Sequence, residues 1–256
     1  MHSRLPLRRM RVRVLSSVSR VGRYTSMSQK RTYRTFRHRD AVFRICCSRF
    51  DAVTAEIVRQ RKILEDYIER HPDFRHSFEP IELQTDAPEV AQRMARAGRL
   101  VGVGPMAAVA GAMAQCACEA GLEAGAQEAI VENGGDIYLV AAEPVIIGLG
   151  TGTAELADRL AFSLQAQDTP ISICSSSGRM GHSKSLGECD LATVVAGDAA
   201  LADAAATQAA NFVRTVEDVD SALEHIAGIE GIDGVMIIKN DRVGLAGQLP
   251  PLVKIQ

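Results

Sequence analysis

A chain of 256 residues in which 46% are apolar, aromatics are few and tryptophan is absent can bury an aliphatic core, as one large domain or two small ones. Its formal charge of -2 hides an asymmetry: residues 1–39 hold twelve Lys and Arg and no acid, and the rest carry 17 basic against 31 acidic side chains. An acidic body excludes nucleic acid as the main partner, and no apolar run reaches the length of a membrane span; a phosphate ligand bridged by a cation stays compatible.

Residues 1–26 are rich in Arg and Ser and free of acids. That is transit-peptide composition, or else Met27 is the true start. Either reading sets this segment outside the fold and leaves residues 27–256 as a single domain. From Arg31 to Arg49 the β-like runs RTYRTFR and AVFRICCSR flank a His-Arg-Asp turn, the pattern of a hairpin. A helix over about Val53 to His71 follows, with Val53, Ile57, Leu64 and Ile68 on one face and Pro72 as its stop. A second helix, capped by Asp86 with Pro88 in its first turn, runs to Ala97.

Val101-Gly102-Val103-Gly104-Pro105 introduces a third helix, Met106 to about Ala120. It is small and apolar nearly all round, so it belongs in the centre against a sheet. Strands AIVEN and DIYLV are joined by Gly134-Gly135, and PVIIGLG is a third strand. Residues 157–165 fit helix or strand equally. Ile171–Cys174 and LATVVAG are strands, Ala199–Asn211 and Val219–Ile226 are helices, and GVMIIKN and RVGLAG form a hairpin across Asn240-Asp241. Hairpins and helices without βαβ alternation predict an α+β fold.

The six cysteines form no Cys-x-x-Cys pair and the histidines have no zinc spacing. Reduced, mostly buried thiols fit a cytoplasmic protein.

The chemistry concentrates between Cys174 and Asn211, with Asn133-Gly134-Gly135-Asp136 as partner. Asp203 and Thr207 are four apart on one helix face. A carboxylate and a hydroxyl, completed by a backbone carbonyl and phosphate oxygens, suit Mg²⁺; the alternative is an Asp serving the helix dipole beside a packing Thr. Ala199, Ala200, Ala202, Ala204, Ala205 and Ala206 around Asp203 are small, which predicts an accessible carboxylate. The Gly-Gly turn can offer backbone N–H groups to a phosphate, or simply close a hairpin, and Asp136 at its buried base needs a partner. Ser175, Ser176, Ser177 and Gly178 form either a phosphate cradle or an ordinary polar turn. His182 is placed to be a general base, or is a loop histidine bonded to backbone. Cys174 is either a nucleophile or persulfide carrier beside the pocket or a core thiol.

At VGPMAAVAGAMAQ, VENGGDIYL, CSSSGRMGHSKSLGECD and ALADAAATQAAN the chain resembles an uncharacterised family related to the ApbE flavin transferases, once labelled thiamine biosynthesis lipoproteins. The resemblance runs from about Arg31 to the C-terminus. It implies two intertwined T-fold-like halves with mixed sheets and small-residue central helices. It implies Mg²⁺-dependent cleavage of FAD, with FMN passed to a Thr or Ser of an acceptor protein or released by hydrolysis. Asn133-Gly134-Gly135-Asp136 and Ser175–Gly178 would then hold the flavin nucleotide, FAD or FMN, or a related diphosphate. Asp203 and Thr207 would hold Mg²⁺ and His182 would be the base. The chain departs from ApbE in its short RMGHSKSLGECD segment, where ApbE has a longer insert, and in Gly104-Pro105, where ApbE has Lys-Gly. Those departures leave a non-catalytic flavin-binding protein and a sulfur carrier centred on Cys174 as rival functions. A homo-oligomer is compatible with the sequence.

Overall fold

The computed structural model describes the backbone of residues 13–15 and 22–23, and residues 31–149, 160–178 and 187–254 in full. The fold is α+β in three layers. A nine-stranded sheet, antiparallel throughout, forms the middle layer. Its strands are β1 (Arg13–Leu15), β3 (Arg34–His38), β4 (Ala41–Cys47), β5 (Ala129–Asn133), β6 (Asp136–Val140), β9 (Ile171–Ser176), β10 (Leu191–Ala196), β11 (Ile232–Lys239) and β12 (Arg242–Gly247). The spatial order is β1-β12-β11-β10-β9-β6-β5-β4-β3. A smaller mixed sheet of β2 (Gly22–Arg23), β13 (Leu252–Lys254), β8 (Leu160–Leu164) and β7 (Val145–Gly148) makes the second layer, with β2 parallel to β13.

Strand alternation sorts the core between the two faces of the large sheet. On β11, Val235 and Ile237 join the helical side, while Met236 and Ile238 face the small sheet. On β6, Tyr138 faces the helices and Leu139 faces away.

The helical layer comprises α1 (Phe50–Arg70), α2 (Asp73–His76), α3 (Glu89–Val101), α4 (Val109–Glu123), α5 (Ala199–Phe212) and α6 (Asp218–Ala227), with a 3₁₀ turn at Pro105–Ala108 leading into α4. The amphipathic pattern of α1 is realised, with Val53, Ile57 and Leu64 buried. Helices α4 and α5 are the central small-residue pair and lie side by side. A Cβ on Gly111 would come within 2.1 Å of the Ala199 carbonyl oxygen, so only glycine permits this approach. Among the described residues no single helix is long and apolar enough to cross a membrane.

Several details differ from what the sequence predicts. Arg13–Leu15 and Gly22–Arg23, expected to lie outside the fold with the rest of residues 1–26, pair as β1 with β12 and as β2 with β13. Asp86 does not cap α3; Pro88 holds that position, and Asp86 instead pairs with Arg70 and His71 at the end of α1. Residues 160–164, ambiguous by periodicity, are a strand because they complete the small sheet against β7 and β13. β13 itself carries too short an apolar signal to stand out in the sequence.

Candidate functional site

The site forms where the β5–β6 turn, the C-terminal end of β9 and the start of α4 meet the middle of α5. Gly134 and Gly135 have φ of +67° and +106°, and Asn133 faces Asp136 across the turn. Two successive positive φ values give the tight hairpin that two glycines make readily. Its two ends carry polar side chains inward. Asn133 is buried and its Nδ2 donates to the Ala110 carbonyl at 3.3 Å. Asp136 is 7% exposed and sits in register with Cys174 of β9.

Helix α5 starts on Asp198, whose side chain accepts from the Leu201 N–H at 3.0 Å. Asp203 follows one turn later. The start of α4 has no side-chain cap of its own. Asp203 supplies one from the neighbouring helix: its Oδ2 accepts from the Gly111 N–H at 2.9 Å, with a further backbone bond from Ala110. The carboxylate is 8% exposed, which corrects the expectation of an accessible group. The surrounding alanines do not open space around it; they let α5 settle close to α4, which encloses it. Burial raises the Asp203 carboxyl to about 7, and the two N–H bonds pull against that rise.

Asp136 also stands well above the usual carboxylate range. Burial is the main cause, the charge of Asp203 the next, and bonds from the Cys174 thiol and the Ser175 N–H offset them in part. Its Oδ1 is buried with no hydrogen-bond partner among the described residues. Thr207, one turn beyond Asp203 on the same face, is also buried.

The serine run divides between faces. Ser175 places its hydroxyl 2.9 Å from Thr193 Oγ1, on the side of the sheet away from the helices. Ser176 is half-buried and Ser177 is buried. Gly178 donates to the Cys189 carbonyl at 2.8 Å, and its Cα packs against the Gly187 backbone. His182 lies outside the described residues. Asn133, Asp136 and Asp203 thus converge on the start of α4, with Thr207 one turn beyond Asp203 on the same helix face, whereas the Ser175 hydroxyl is not part of that group.

Cys174 is fully buried, and burial first, then the Asp136 and Asp203 charges, push its thiol well up. A thiolate is disfavoured there, so the sulfur-carrier reading loses its nucleophile. Sequence reasoning misses the Gly111 N–H as partner of Asp203. The small residues Ala110-Gly111 mark a close helix approach, but not the helix that makes it. A surface concavity of about 320 Å³, lined by Leu83, Gln84, Gln92 and Arg96 among others, contains none of these residues.

A divalent cation fits this donor set. One buried carboxylate oxygen is unpartnered, a second carboxylate lies nearby, and among the described residues no cluster of three or more His, Cys, Asp or Glu could make a closed metal cage. Mg²⁺ is typically held by one or two carboxylates with phosphate and water completing its shell.

Comparisons with known proteins agree with this architecture. The chain is 41% identical over 203 residues to the UPF0280 protein of Methanocaldococcus jannaschii, covering 77% of this chain and 82% of that one. It is 38% identical to its counterpart in Methanosarcina barkeri, covering 80% and 81%. Among solved structures it resembles the flavin transferase ApbE from Vibrio cholerae, with a TM-score of 0.53 at 14% identity, over 86% of this chain and 97% of that one. That likeness shows a shared fold. Residues 26–243 match the family described as "AbpE bacteria". The chain therefore belongs to this ApbE-related family.

Proposed function

We propose that the protein binds a flavin nucleotide with Mg²⁺ on the helical side of the large sheet and cleaves the pyrophosphate of FAD. The observation that carries this reading is the pair of buried carboxylates, Asp136 and Asp203, at the start of α4 in an ApbE-like fold. A bound Mg²⁺ would neutralise pyrophosphate oxygens and make the phosphorus more electrophilic. Asp203 and Thr207 would hold the cation, and the Gly134-Gly135 turn would let the nucleotide approach backbone. The N-terminal end of α4 adds a positive field that favours phosphate.

In the reaction, a Thr or Ser hydroxyl of an acceptor protein, or water, attacks the flavin-side phosphorus. Its proton passes to a base, assigned to His182. The bond between the bridging oxygen and that phosphorus breaks, and AMP leaves. The products are FMN esterified to the acceptor, or free FMN. Incubation of FAD with protein and Mg²⁺ should release AMP, and EDTA should stop it.

A second reading, non-catalytic flavin binding, draws support from the loop after β9. Gly178 and Gly187 pack backbone to backbone, so only eight residues, 179–186, lie between them. ApbE has a longer insert there. Tight FAD binding without AMP release would decide for this reading.

A further inference from the structure

We propose that Asp136 supplies a second carboxylate to the cation site assigned to Asp203, so that the metal is clamped between strand β6 and helix α5. This rests on the reading of Asp203 as a ligand, and extends it to a residue that the ApbE resemblance placed only in the nucleotide cradle.

Asp136 is an unusual residue for its position if its role is structural. It begins β6 on the face that carries Tyr138 into the helical core, so its carboxylate points toward α4 and α5. It is 7% exposed, yet its Oδ1 meets no donor among the described residues. Buried polar atoms are nearly always bonded, and an orphaned carboxylate oxygen is destabilising. The amide that sits opposite, Asn133, already donates to Ala110. The charged side chains that bear on Asp136 are Asp203 and Glu132, both of its own sign. Two acids brought together this way repel, and a divalent cation between them would convert that repulsion into attraction. Asp203 keeps its Oδ2 on Gly111, which fixes its direction while a ligand uses the remaining lone pairs. Two carboxylates and a hydroxyl are too few to complete an Mg²⁺ shell, so the phosphate ligand completes it. Cation and diphosphate therefore bind together, each weakly alone.

The test uses the full chain stripped with EDTA, probed with MgCl₂ and inorganic pyrophosphate by calorimetric melting, and with Mn²⁺ by electron paramagnetic resonance. The wild type should melt several degrees higher with both probes than with either alone. Asp136→Asn should melt no lower than the wild type without cation, because a charge with no counter-charge is gone. It should lose the cation-dependent rise, and its Mn²⁺ affinity should fall at least about tenfold. Asp136→Ser, tested by the same Mn²⁺ titration, decides the matter if the Asn variant does not fold. If Asp203→Asn loses the response while Asp136→Asn keeps wild-type melting gain and Mn²⁺ affinity, Asp136 is no ligand and the assignment of Asp203 survives. A wild type with no response to Mg²⁺, Mn²⁺ or pyrophosphate overturns both.

Discussion

The Cα of Gly111 faces the Ala199 carbonyl so closely that a Cβ there would lie 2.1 Å from that oxygen and 2.9 Å from Asp203 Cβ. The obstacle is backbone, so no side-chain rotation relieves it. Gly111→Ala must push α5 away from α4 and lengthen the bond between Gly111 N–H and Asp203. Overpacking of this kind costs about 3 kcal/mol, or roughly 6–12 °C of melting temperature in a chain of this size. Thermal melting checks this, and an unchanged Tm would show that the two helices are not tightly apposed.

The two turn glycines should respond differently. Gly134 has φ of +67°, and a Cβ there would meet nothing within 4 Å, so Gly134→Asn should stay within about 1 kcal/mol of wild type. Gly135 has φ of +106°, which a β-branched residue adopts poorly. Gly135→Val should cost about 1–3 kcal/mol and weaken ligand binding with it. Denaturant titration of both variants separates strain from simple crowding. Equal stability of the two would contradict the conformational argument.

Much of this fold is visible in the sequence where the signal is local. The alternation on either side of Gly134-Gly135 and of Asn240-Asp241 marks hairpins, and both are formed. The one-sided apolar pattern of α1 and the all-round smallness of α4 also read correctly. Non-local choices are not legible. Asp86 looks like a cap from its neighbours but is claimed by Arg70 and His71 across a turn. Asp203 looks accessible among alanines, but those alanines are what allow α4 to cover it. That Asp136 meets Asp203 depends on how β6 and α5 pack, which neither motif states alone.

The thiols give a direct check on the sulfur-carrier alternative. Burial pushes Cys116 up to about 11, and Cys118 and Cys189 up to about 12, while Cys174 is fully enclosed. All six cysteines are free. Iodoacetamide at pH 7.5 should leave Cys116, Cys118, Cys174 and Cys189 unmodified in the native protein and label all six in urea, as read by intact mass. Rapid native labelling of Cys174 would reopen that function.

A chain beginning at Met27 lacks β1 and β2, which pair over three residues with β12 and two with β13. Such short edge pairings contribute little, so the shortened protein should fold and melt within a few degrees of the full chain. It also uncovers the β12 edge, which favours self-association. Melting and size-exclusion chromatography test both points, and a loss of the folding transition would show that residues 1–26 belong to the domain.

Calorimetric titration of FAD into wild type and Asp203→Asn, with and without Mg²⁺, separates a cation ligand from a helix cap. The amide keeps the shape of Asp203 and its acceptor for Gly111 N–H but removes the charge. The wild type should bind FAD in a Mg²⁺-dependent way, and the variant should lose the Mg²⁺ dependence with at least about a tenfold weaker Kd, a change of roughly 1.4 kcal/mol. If the two proteins bind FAD alike and Mg²⁺ changes neither, Asp203 is only the cap of α4 and the cation site is wrong.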